Sequence, residues 1–172
     1  MTYSNPAAYE RFMGRWSARL APQFIGFVGV HDARRVLDIG SGTGSLTAAL
    51  LAAGADIHVV GVEPAAEYVS FARQAVPSSR AQFQVGAAET LPFADEDFDA
   101  ALCLLVLQEI ADPGRAVREM ARVTRRGGIV AACQWDFQGG VPMFSLLRQA
   151  AEAVAPEVMA RRRANDAPVN RT

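Results

Sequence analysis

The sequence predicts an α/β fold, a three-layer sandwich in which helices cover both faces of a mostly parallel five-stranded sheet. Short apolar or β-branched runs alternate along the chain with amphipathic segments of about ten residues, and this alternation is typical of right-handed βαβ units. A glycine-rich turn, residues 40–44, joins the first run to a helical pattern. Since such a turn is a nucleotide-binding geometry, we expect strand order 3-2-1-4-5 with a ligand at the turn.

Composition sets limits on the class of protein. With 172 residues and 51% hydrophobic content, the chain can bury a core of one domain. Its 17 basic and 18 acidic residues give a net charge of −1, so the overall charge gives no electrostatic footprint for nucleic acid. The longest apolar run, residues 100–107, is too short to span a bilayer, and the amino terminus has no hydrophobic signal segment. We therefore expect a cytoplasmic protein without a nucleic-acid or integral-membrane partner.

The first 30 residues predict a helical cap. Asn5 and Pro6 form a cap followed by proline at the first helical position, so a short helix should run toward Met13. A second helix should follow Gly14, because apolar side chains recur there at helical spacing. These side chains are Trp16, Leu20, Phe24 and Phe27. The spacing favours a core position for Trp16, with a ligand contact as the alternative.

The remaining elements are predicted from apolar and β-branched runs and from the glycine and proline residues that end them. Strands are predicted at 34–39, 57–62, 81–85, 99–105 and 129–134. Helices are predicted at 46–53, 64–75, behind Asp112-Pro113 and from 141 to about 155. Gly54 and Pro77 end the first two of these helices, Gly127-Gly128 turns the chain into the fifth strand, and residues 86–97 form a loop. The nearly unbroken apolar content of the fourth strand indicates burial on both faces.

The histidines and cysteines give no separate catalytic or metal site. His58 alternates with β-branched residues in the second strand, so it is predicted as a packed core histidine. Cys103 and Cys133 lie inside apolar runs and are predicted as small core residues rather than a disulfide pair. No second ligand stands at metal spacing from a histidine, so we expect no metal.

The glycine turn differs from the dinucleotide fingerprint. That fingerprint is G-x-G-x-x-G, whereas this turn reads Gly40-Ser41-Gly42-Thr43-Gly44 with Asp38 just ahead of it. An acid at this point would repel a pyrophosphate and suits a ligand group with positive charge, such as an amino group.

At these residues the sequence resembles the class I S-adenosylmethionine-dependent methyltransferases, which have Rossmann-like folds, especially the branch of small-molecule and quinone C-methyltransferases. The resemblance covers essentially the whole chain. Further matching segments are Glu63 at the end of the second strand, the loop Gly86 to Phe93 with its Leu-Pro-Phe, Phe98-Asp99-Ala100, and Gly127-Gly128. The segment Tyr9 to Trp16 resembles the part of the family that closes over the cofactor.

The resemblance implies a binding site for S-adenosylmethionine, with S-adenosylhomocysteine as the product. It places the turn at the methionine part of the cofactor, Asp38 near the amino group, and the Glu63 carboxylate on the ribose hydroxyls. The implied cofactor-binding residues are Asp38, Gly40, Ser41, Gly42, Gly44, Glu63, Pro64, Ala87, Ala88, Glu89, Cys103, Leu104, Tyr9, Arg15 and Trp16. Tyr9, Arg15 or Trp16 would meet the cofactor carboxylate; for Arg15 a solvated surface position is the alternative.

The sequence departs from the family at the adenine. Ala87 stands where the family commonly has an acid, so the backbone of Ala88 or the side chain of Glu89 would take over the contact to the adenine amino group. We nominate no catalytic residue, because methyl transfer from a sulfonium is an in-line displacement that needs positioning and requires a base only for some acceptors.

The chain is short for the family, whose members usually add two further strands as an antiparallel hairpin. We predict one domain over residues 1–156, with 1–30 as the cap, and a polar tail over 157–172 that is frayed or only locally helical. The fifth strand is then an apolar edge, which invites pairing with a second copy of the chain or coverage by the tail. A homodimer through this edge is one of these two alternatives, and coverage by the tail is the other.

Three functions remain open from the sequence. The first is methyl transfer to a small-molecule acceptor. The second is a truncated module that binds the cofactor without catalysis, because the missing segment often helps to shape the acceptor pocket. The third is a nicotinamide-dependent oxidoreductase, which the glycine spacing and Asp38 disfavour.

Overall fold

A computed structural model describes residues 5–30, 32–136 and 142–165. The chain forms two compact units, Met1–Gln134 and Trp135–Thr172. The strands of the first unit are β1 Arg35–Ile39, β2 His58–Glu63, β3 Ala81–Val85, β4 Phe98–Leu104 and β5 Thr124–Cys133. Its helices are α1 Pro6–Tyr9, α2 Arg15–Val28, α3 Ser45–Ala53, α4 Ala66–Ala75 and α5 Pro113–Val123. The second unit contains α6 Pro142–Val154 and α7 Pro156–Asn165.

The five strands form one sheet in the order β3-β2-β1-β4-β5, which confirms the predicted fold class. Every neighbouring pair is parallel. The central strand β1 pairs through Leu37 with Val60 of β2 and with Ala101 of β4. Right-handed crossovers place α3 and α4 on one face of the sheet and α5 on the other.

Side chains of β1 alternate between the two faces. Leu37 and Ile39 belong to the core cluster under α5, together with Phe98 and Met120. Asp38, between them in sequence, therefore faces α3. All of these side chains are almost completely buried, so the centre of the sheet fixes the turn that follows β1.

The helices predicted toward Met13 and after Gly14 are both present, but the predicted separation between them is wrong. A π-helical turn, Glu10–Gly14, joins α1 to α2, so the backbone stays helical through this segment. Short π-helical segments occur mostly within α-helices and frequently at functional sites.

The predicted core face of α2 is also largely wrong. Trp16 is 46% and Phe27 is 90% exposed, although Phe24 is buried as expected. The buried residues of α2 are Ser17, Ala21, Phe24 and Ile25. Small side chains at Ser17 and Ala21 let the helix backbone approach its neighbour closely, and this packing decides which face turns inward.

The predicted start of the fifth strand also needs correction. Strand β5 begins at Thr124 rather than at Ile129, because the pairing register shifts between Phe98 and Ala100 of β4 and the two glycines lie within the strand. Gly127 has a φ of +73°, and a Cβ on Gly128 would come within 2.6 Å of the Asp99 carbonyl oxygen. This irregularity, like a β-bulge, needs glycine.

His58 is exposed rather than packed in the core, because it is the first residue of β2 and lies at the amino end of the strand. Of the predicted tail, residues up to Asn165 are helical in α7, and 166–172 lie outside the described residues. The predicted domain boundary at residue 156 stays a prediction. None of the helices in the described residues has the length and apolar character needed to cross a membrane.

Candidate functional site

A cavity of about 480 Å³ lies at the carboxyl ends of β1, β2 and β4. Its walls come from the turn after β1, the end of β2 with the start of α4, the loop after β3, and the segment after β4. Tyr9 of α1 adds a side chain from the helical cap. Ligands of open parallel sheets bind at this edge, and the volume is in the range of small-molecule pockets.

The glycine turn brings its backbone to the cavity. Gly40, Gly42 and Gly44 all have positive φ, at 64°, 52° and 93°, where side chains other than glycine are strained. The N–H groups of Gly40 and Ser41 both donate to the Val62 carbonyl oxygen, at 2.8 and 3.1 Å. A Cβ on Gly40 would collide with the side chain of Val106, so the turn passes against the segment after β4.

The predicted residues of the turn divide into two groups. Gly40 and Gly42 line the cavity, whereas Ser41 and Gly44 do not. Ser41 is buried and a Cβ on Gly44 would lie 3.0 Å from Val76 and 3.6 Å from Ala72. These two residues therefore pack the turn onto the protein, and a ligand contact from either of them stays a prediction.

Asp38 lies behind the turn. Its side chain is 1% exposed, and one oxygen accepts a hydrogen bond from the Thr47 hydroxyl of α3 at 2.7 Å. Burial raises the pKa of Asp38 to about 7, with Glu63 adding to the increase and the bond from Thr47 opposing it. Asp38 is not among the cavity-lining residues, so its contact to an amino group stays a prediction.

Glu63 brings a carboxylate into the cavity at the end of β2. Its Oε2 accepts a hydrogen bond from the Gly42 N–H at 3.2 Å, and its Oε1 accepts one from the Ala65 N–H at 3.1 Å. Burial raises the pKa of this carboxyl above its ordinary value, against the effect of both bonds. Because each oxygen has a second lone pair, the group can also accept hydrogen bonds from a ligand. The neighbouring Pro64 lines the cavity as well.

The loop after β3 supplies another wall. Ala87, Ala88 and Glu89 all line the cavity, and their contact with an adenine stays a prediction. The Thr90 N–H donates to the Ala87 carbonyl at 3.2 Å and closes a turn. One carboxylate oxygen of Glu89 accepts a long hydrogen bond, 3.5 Å, from the Asp112 N–H at the start of α5.

Arg122 of α5 fixes this loop. Its guanidinium donates to the carbonyl oxygens of Leu91 and Phe93 and to the carboxylates of Glu119 and Asp95 at 2.7–3.0 Å. Glu119 also accepts from the Leu91 N–H at 2.8 Å. The bond from Arg122 lowers the pKa of Glu119 to about 2. The Leu-Pro-Phe segment is therefore held on α5 by charge-assisted bonds.

Of the three cap residues predicted to contact the cofactor, one lines the cavity, and its cofactor contact stays a prediction. Tyr9 lines the cavity and packs edge-to-face on Tyr68 of α4, with 5.8 Å between ring centroids and an interplanar angle of 73°. Arg15 and Trp16 are not among the lining residues. The Arg15 guanidinium instead lies 5.0 Å from the centre of the Trp16 ring, so a cofactor contact by either stays a prediction.

The segment after β4 contains residues that sequence reasoning missed. Cys103 and Leu104 were expected here, but they are buried in the strand, and burial raises the pKa of the Cys103 thiol to about 12. Leu105, Val106 and Glu109 line the cavity instead. Leu105 has a φ of +61°, a strained position for a bulky residue. The available signal was position, since the first residues past a parallel strand lie at the ligand edge.

The charges of the cavity wall share one sign. Glu63, Glu89 and Glu109 contribute carboxylates, and among the described residues no arginine or histidine lines the cavity. Such a wall attracts a ligand with positive charge and repels phosphate groups.

Comparison with known proteins agrees with this geometry. The sequence profile of a family described as a methyltransferase domain matches residues 37–132. An uncharacterized methyltransferase of Mycobacterium tuberculosis is 43% identical over 121 residues, which cover 70% of this chain and 46% of the relative. The chain thus spans about half the length of the curated relatives it matches.

Solved structures share the fold. An S-adenosylmethionine-dependent methyltransferase of Thermotoga maritima superposes with a TM-score of 0.58 at 27% identity, covering 84% of this chain and 68% of that one. The [4+2]-cyclase SpnF superposes with a TM-score of 0.64 at 30% identity, covering 68% of this chain and 44% of that one. The family profile, over residues 37–132, spans the glycine turn, nearly all of the sheet and the loop after β3.

Proposed function

Because this chain belongs to the methyltransferase domain family of class I S-adenosylmethionine-dependent enzymes, we propose that it transfers a methyl group from S-adenosylmethionine to a small-molecule acceptor. The observation that carries this proposal is the cavity wall, with three carboxylates and no cationic side chain among the described residues. S-adenosylmethionine has a sulfonium and an ammonium group, whereas a nicotinamide dinucleotide has a pyrophosphate that this wall would repel.

The residues present fit the proposed cofactor. Glu63 would hold the ribose hydroxyls through the lone pairs that Gly42 and Ala65 leave open. The family commonly has an acidic residue at the position of Ala87. In this chain the backbone of Ala88, or the Glu89 side chain, would contact the adenine instead. The open turn at Gly40 and Gly42 would receive the methionine part.

When bound, the cofactor would supply a methyl group on a positively charged sulfur: an acceptor would attack the methyl carbon in line as the carbon–sulfur bond breaks, and the sulfur would leave as a neutral thioether. The chain's part is to hold the two reactants close and aligned, an effect worth roughly 7–11 kcal/mol. Glu63, fixed by two backbone bonds, and the Leu-Pro-Phe loop, fixed by Arg122, are suited to this positioning role. No side chain is assigned as a base, and S-adenosylhomocysteine is the expected product.

A fold of this kind does not determine the reaction, because one fold supports many chemistries. The similarity to a cyclase illustrates the point. A module that binds the cofactor without transferring its methyl group is the alternative, and cofactor binding and methyl transfer therefore need separate measurements.

Calorimetric titration of the chain with S-adenosylmethionine, S-adenosylhomocysteine and NAD tests the cofactor. We expect both sulfur nucleosides to bind and NAD to give no heat of binding. Binding of NAD without either nucleoside would contradict the proposal. Release of S-adenosylhomocysteine with added metabolite fractions then tests transfer, and binding without release in any fraction would favour the inactive module.

A further inference from the structure

A cluster of large, exposed side chains lies on the outer side of α2 and of the π-helical turn before it. We call it the basic–aromatic face: Arg11, Phe12, Arg15, Trp16, Arg19 and Phe27. Phe12 is 67%, Trp16 46% and Phe27 90% exposed. Three exposed aromatic rings on one short segment are more than singly scattered surface residues, and clusters of this kind mark interaction sites.

The face lies away from the core. Side chains on a helix point 100° apart, so Trp16, Arg19 and Phe27 fall on the side opposite the buried Ala21 and Ile25. Aromatic side chains therefore lie on the outer side of the helix as well as on its packed side. Packing in the first unit explains the apolar side chains on the inner side of the helix, but it does not explain those on the outer side.

The charged side chains of the face are all arginines. Glu10 begins the π-helical turn, but its carboxylate lies against Gly14, and no other aspartate or glutamate occurs between Glu10 and Val28, whereas the whole chain has a net charge of −1. The guanidinium groups of Arg15 and Arg19 lie 5.0 and 5.8 Å from the centre of the Trp16 ring. Arginine stacked on an interfacial tryptophan keeps its charge available outward while covering apolar surface.

We propose that the basic–aromatic face docks on the surface of a bilayer that contains anionic lipids. A helix with aromatic and arginine side chains on one face lies in the membrane interface, the rings among the headgroups and the arginines on lipid phosphates. A second copy of the chain fits this face poorly, because it would set three arginines against three others. Nucleic acid would use the charges but leaves the exposed phenylalanines unexplained.

The basic–aromatic face and the cavity contain residues that are close together in the sequence. Tyr9, which lines the cavity, comes one helical turn before Phe12. If the proposed methyltransferase function holds, on which this consequence rests, the acceptor is an amphiphile that partitions into the bilayer. The docking itself needs neither cofactor nor acceptor and is measured without them.

The fluorescence of Trp16 can be used to measure docking. The chain has two tryptophans, so a Trp135→Phe variant leaves Trp16 as the only one. We expect its emission to shift to shorter wavelength with phosphatidylcholine vesicles that contain phosphatidylglycerol, and the protein to co-sediment with them. Vesicles of phosphatidylcholine alone should give neither effect, and added salt should weaken binding.

Matched variants assign the effect to this face. Arg11→Gln, Arg15→Gln and Arg19→Gln together should weaken binding on the order of a hundredfold, from about 1 kcal/mol for each arginine. Arg115→Gln, Arg118→Gln and Arg126→Gln together change the charge equally at other exposed positions and should leave binding nearly unchanged. Phe12→Ala with Phe27→Ala should also weaken it, and circular dichroism checks that each variant folds.

Several results would overturn the proposal. One is no binding to anionic vesicles at low salt, and another is equal loss in both arginine variants. Binding to duplex DNA or RNA that the face variant loses, without vesicle binding, would assign the face to nucleic acid. A concentration-dependent dimer that Phe12→Ala with Phe27→Ala abolishes, again without vesicle binding, would assign it to a second copy. Failure of S-adenosylmethionine to bind leaves the vesicle result standing.

Discussion

The Glu63 carboxylate accepts a hydrogen bond from the backbone N–H of Gly42 at 3.2 Å, and this bond joins the end of β2 to the turn after β1. The second oxygen is fixed by the Ala65 N–H at 3.1 Å. Two backbone donors therefore orient the carboxylate before any ligand arrives. An acceptor oriented in this way loses little conformational entropy on binding, which makes Glu63 the side chain whose removal should matter most for affinity.

Glu63→Ala should weaken binding of S-adenosylmethionine by roughly 1.5–3 kcal/mol, since charge-assisted hydrogen bonds to the ribose are lost. Titration calorimetry measures the change. Asp56→Ala is the comparison, because it removes an exposed acid outside the cavity lining and should not alter affinity. Equal affinity in the Glu63 variant and the parent would mean that the carboxylate only supports the turn.

Gly40→Ala should destabilise the protein more than Gly42→Ala. Both residues have positive φ, so each alanine adds about 1–2 kcal/mol of backbone strain. At Gly40 the new methyl also collides with Val106, whereas at Gly42 the nearest atom is 3.9 Å away. Overpacking of this kind adds about 1–3 kcal/mol.

Urea denaturation of the two variants and of Gly40→Ala with Val106→Ala separates the causes. The double variant should recover part of the excess loss, because its collision is removed while the backbone strain remains. If Gly40→Ala and Gly42→Ala lose equal stability, backbone conformation alone explains the glycines.

The sheet was predictable because its signals are local. The strands of the order β3-β2-β1-β4-β5 are short runs of apolar or β-branched residues, and helices separate consecutive strands except β3 and β4. Right-handed crossovers then leave few topologies open. The acid at Glu63 and the loop at Ala87 were predictable for a related reason. They follow directly on parallel strands, and the ends of such strands meet at one edge.

The rest depends on packing that sequence spacing does not encode. Trp16 and Phe24 have the same helical spacing, but contact with the neighbouring helix selects only Phe24 for burial. Cys103 was expected at the cavity and Leu105 was missed, because one or two residues decide whether a side chain is inside the strand or past its end. The bulge at Gly128 depends on the Asp99 carbonyl of another strand, which no local pattern reports.

Arg122→Gln should loosen the Leu-Pro-Phe loop more than it unfolds the protein. The guanidinium bonds to the carbonyl oxygens of Leu91 and Phe93, so its removal takes away these two bonds and leaves the bond from the Leu91 N–H to Glu119 to hold the loop on α5. The loss of stability should be about 1–2 kcal/mol, because the group is partly exposed to solvent. Hydrogen exchange at residues 86–97 should rise by a larger factor than exchange in β1.

Arg118→Gln supplies the matched control for this change. It removes the same charge from the same helix at an exposed position, and exchange in the loop should stay as in the parent. Faster exchange that spreads evenly over the sheet and the loop would mean that Arg122 stabilises the whole domain rather than this segment.

The buried Asp38 should make the protein less stable as pH rises. Its pKa is about 7 in the folded protein against an ordinary value of 3.8, so the folded state keeps a proton that the unfolded chain releases. Stability from this group is fully present below about pH 4 and is lost as pH rises to about 7, with a slope of up to about 1.4 kcal/mol for each pH unit. The other shifted groups add their own slopes, so the test compares variants.

Asp38→Asn should remove this slope, because an amide of the same shape does not titrate and its oxygen can still accept the bond from Thr47. The free energy of unfolding, measured in urea at pH 5 and pH 7.5, gives the difference between variant and parent at each pH. Slopes from groups such as Asp99 cancel in that difference. We expect the parent to lose its advantage over the variant between the two pH values. A difference that does not change with pH would show that Asp38 is already ionised at pH 5, and that water or a rearrangement offsets its burial.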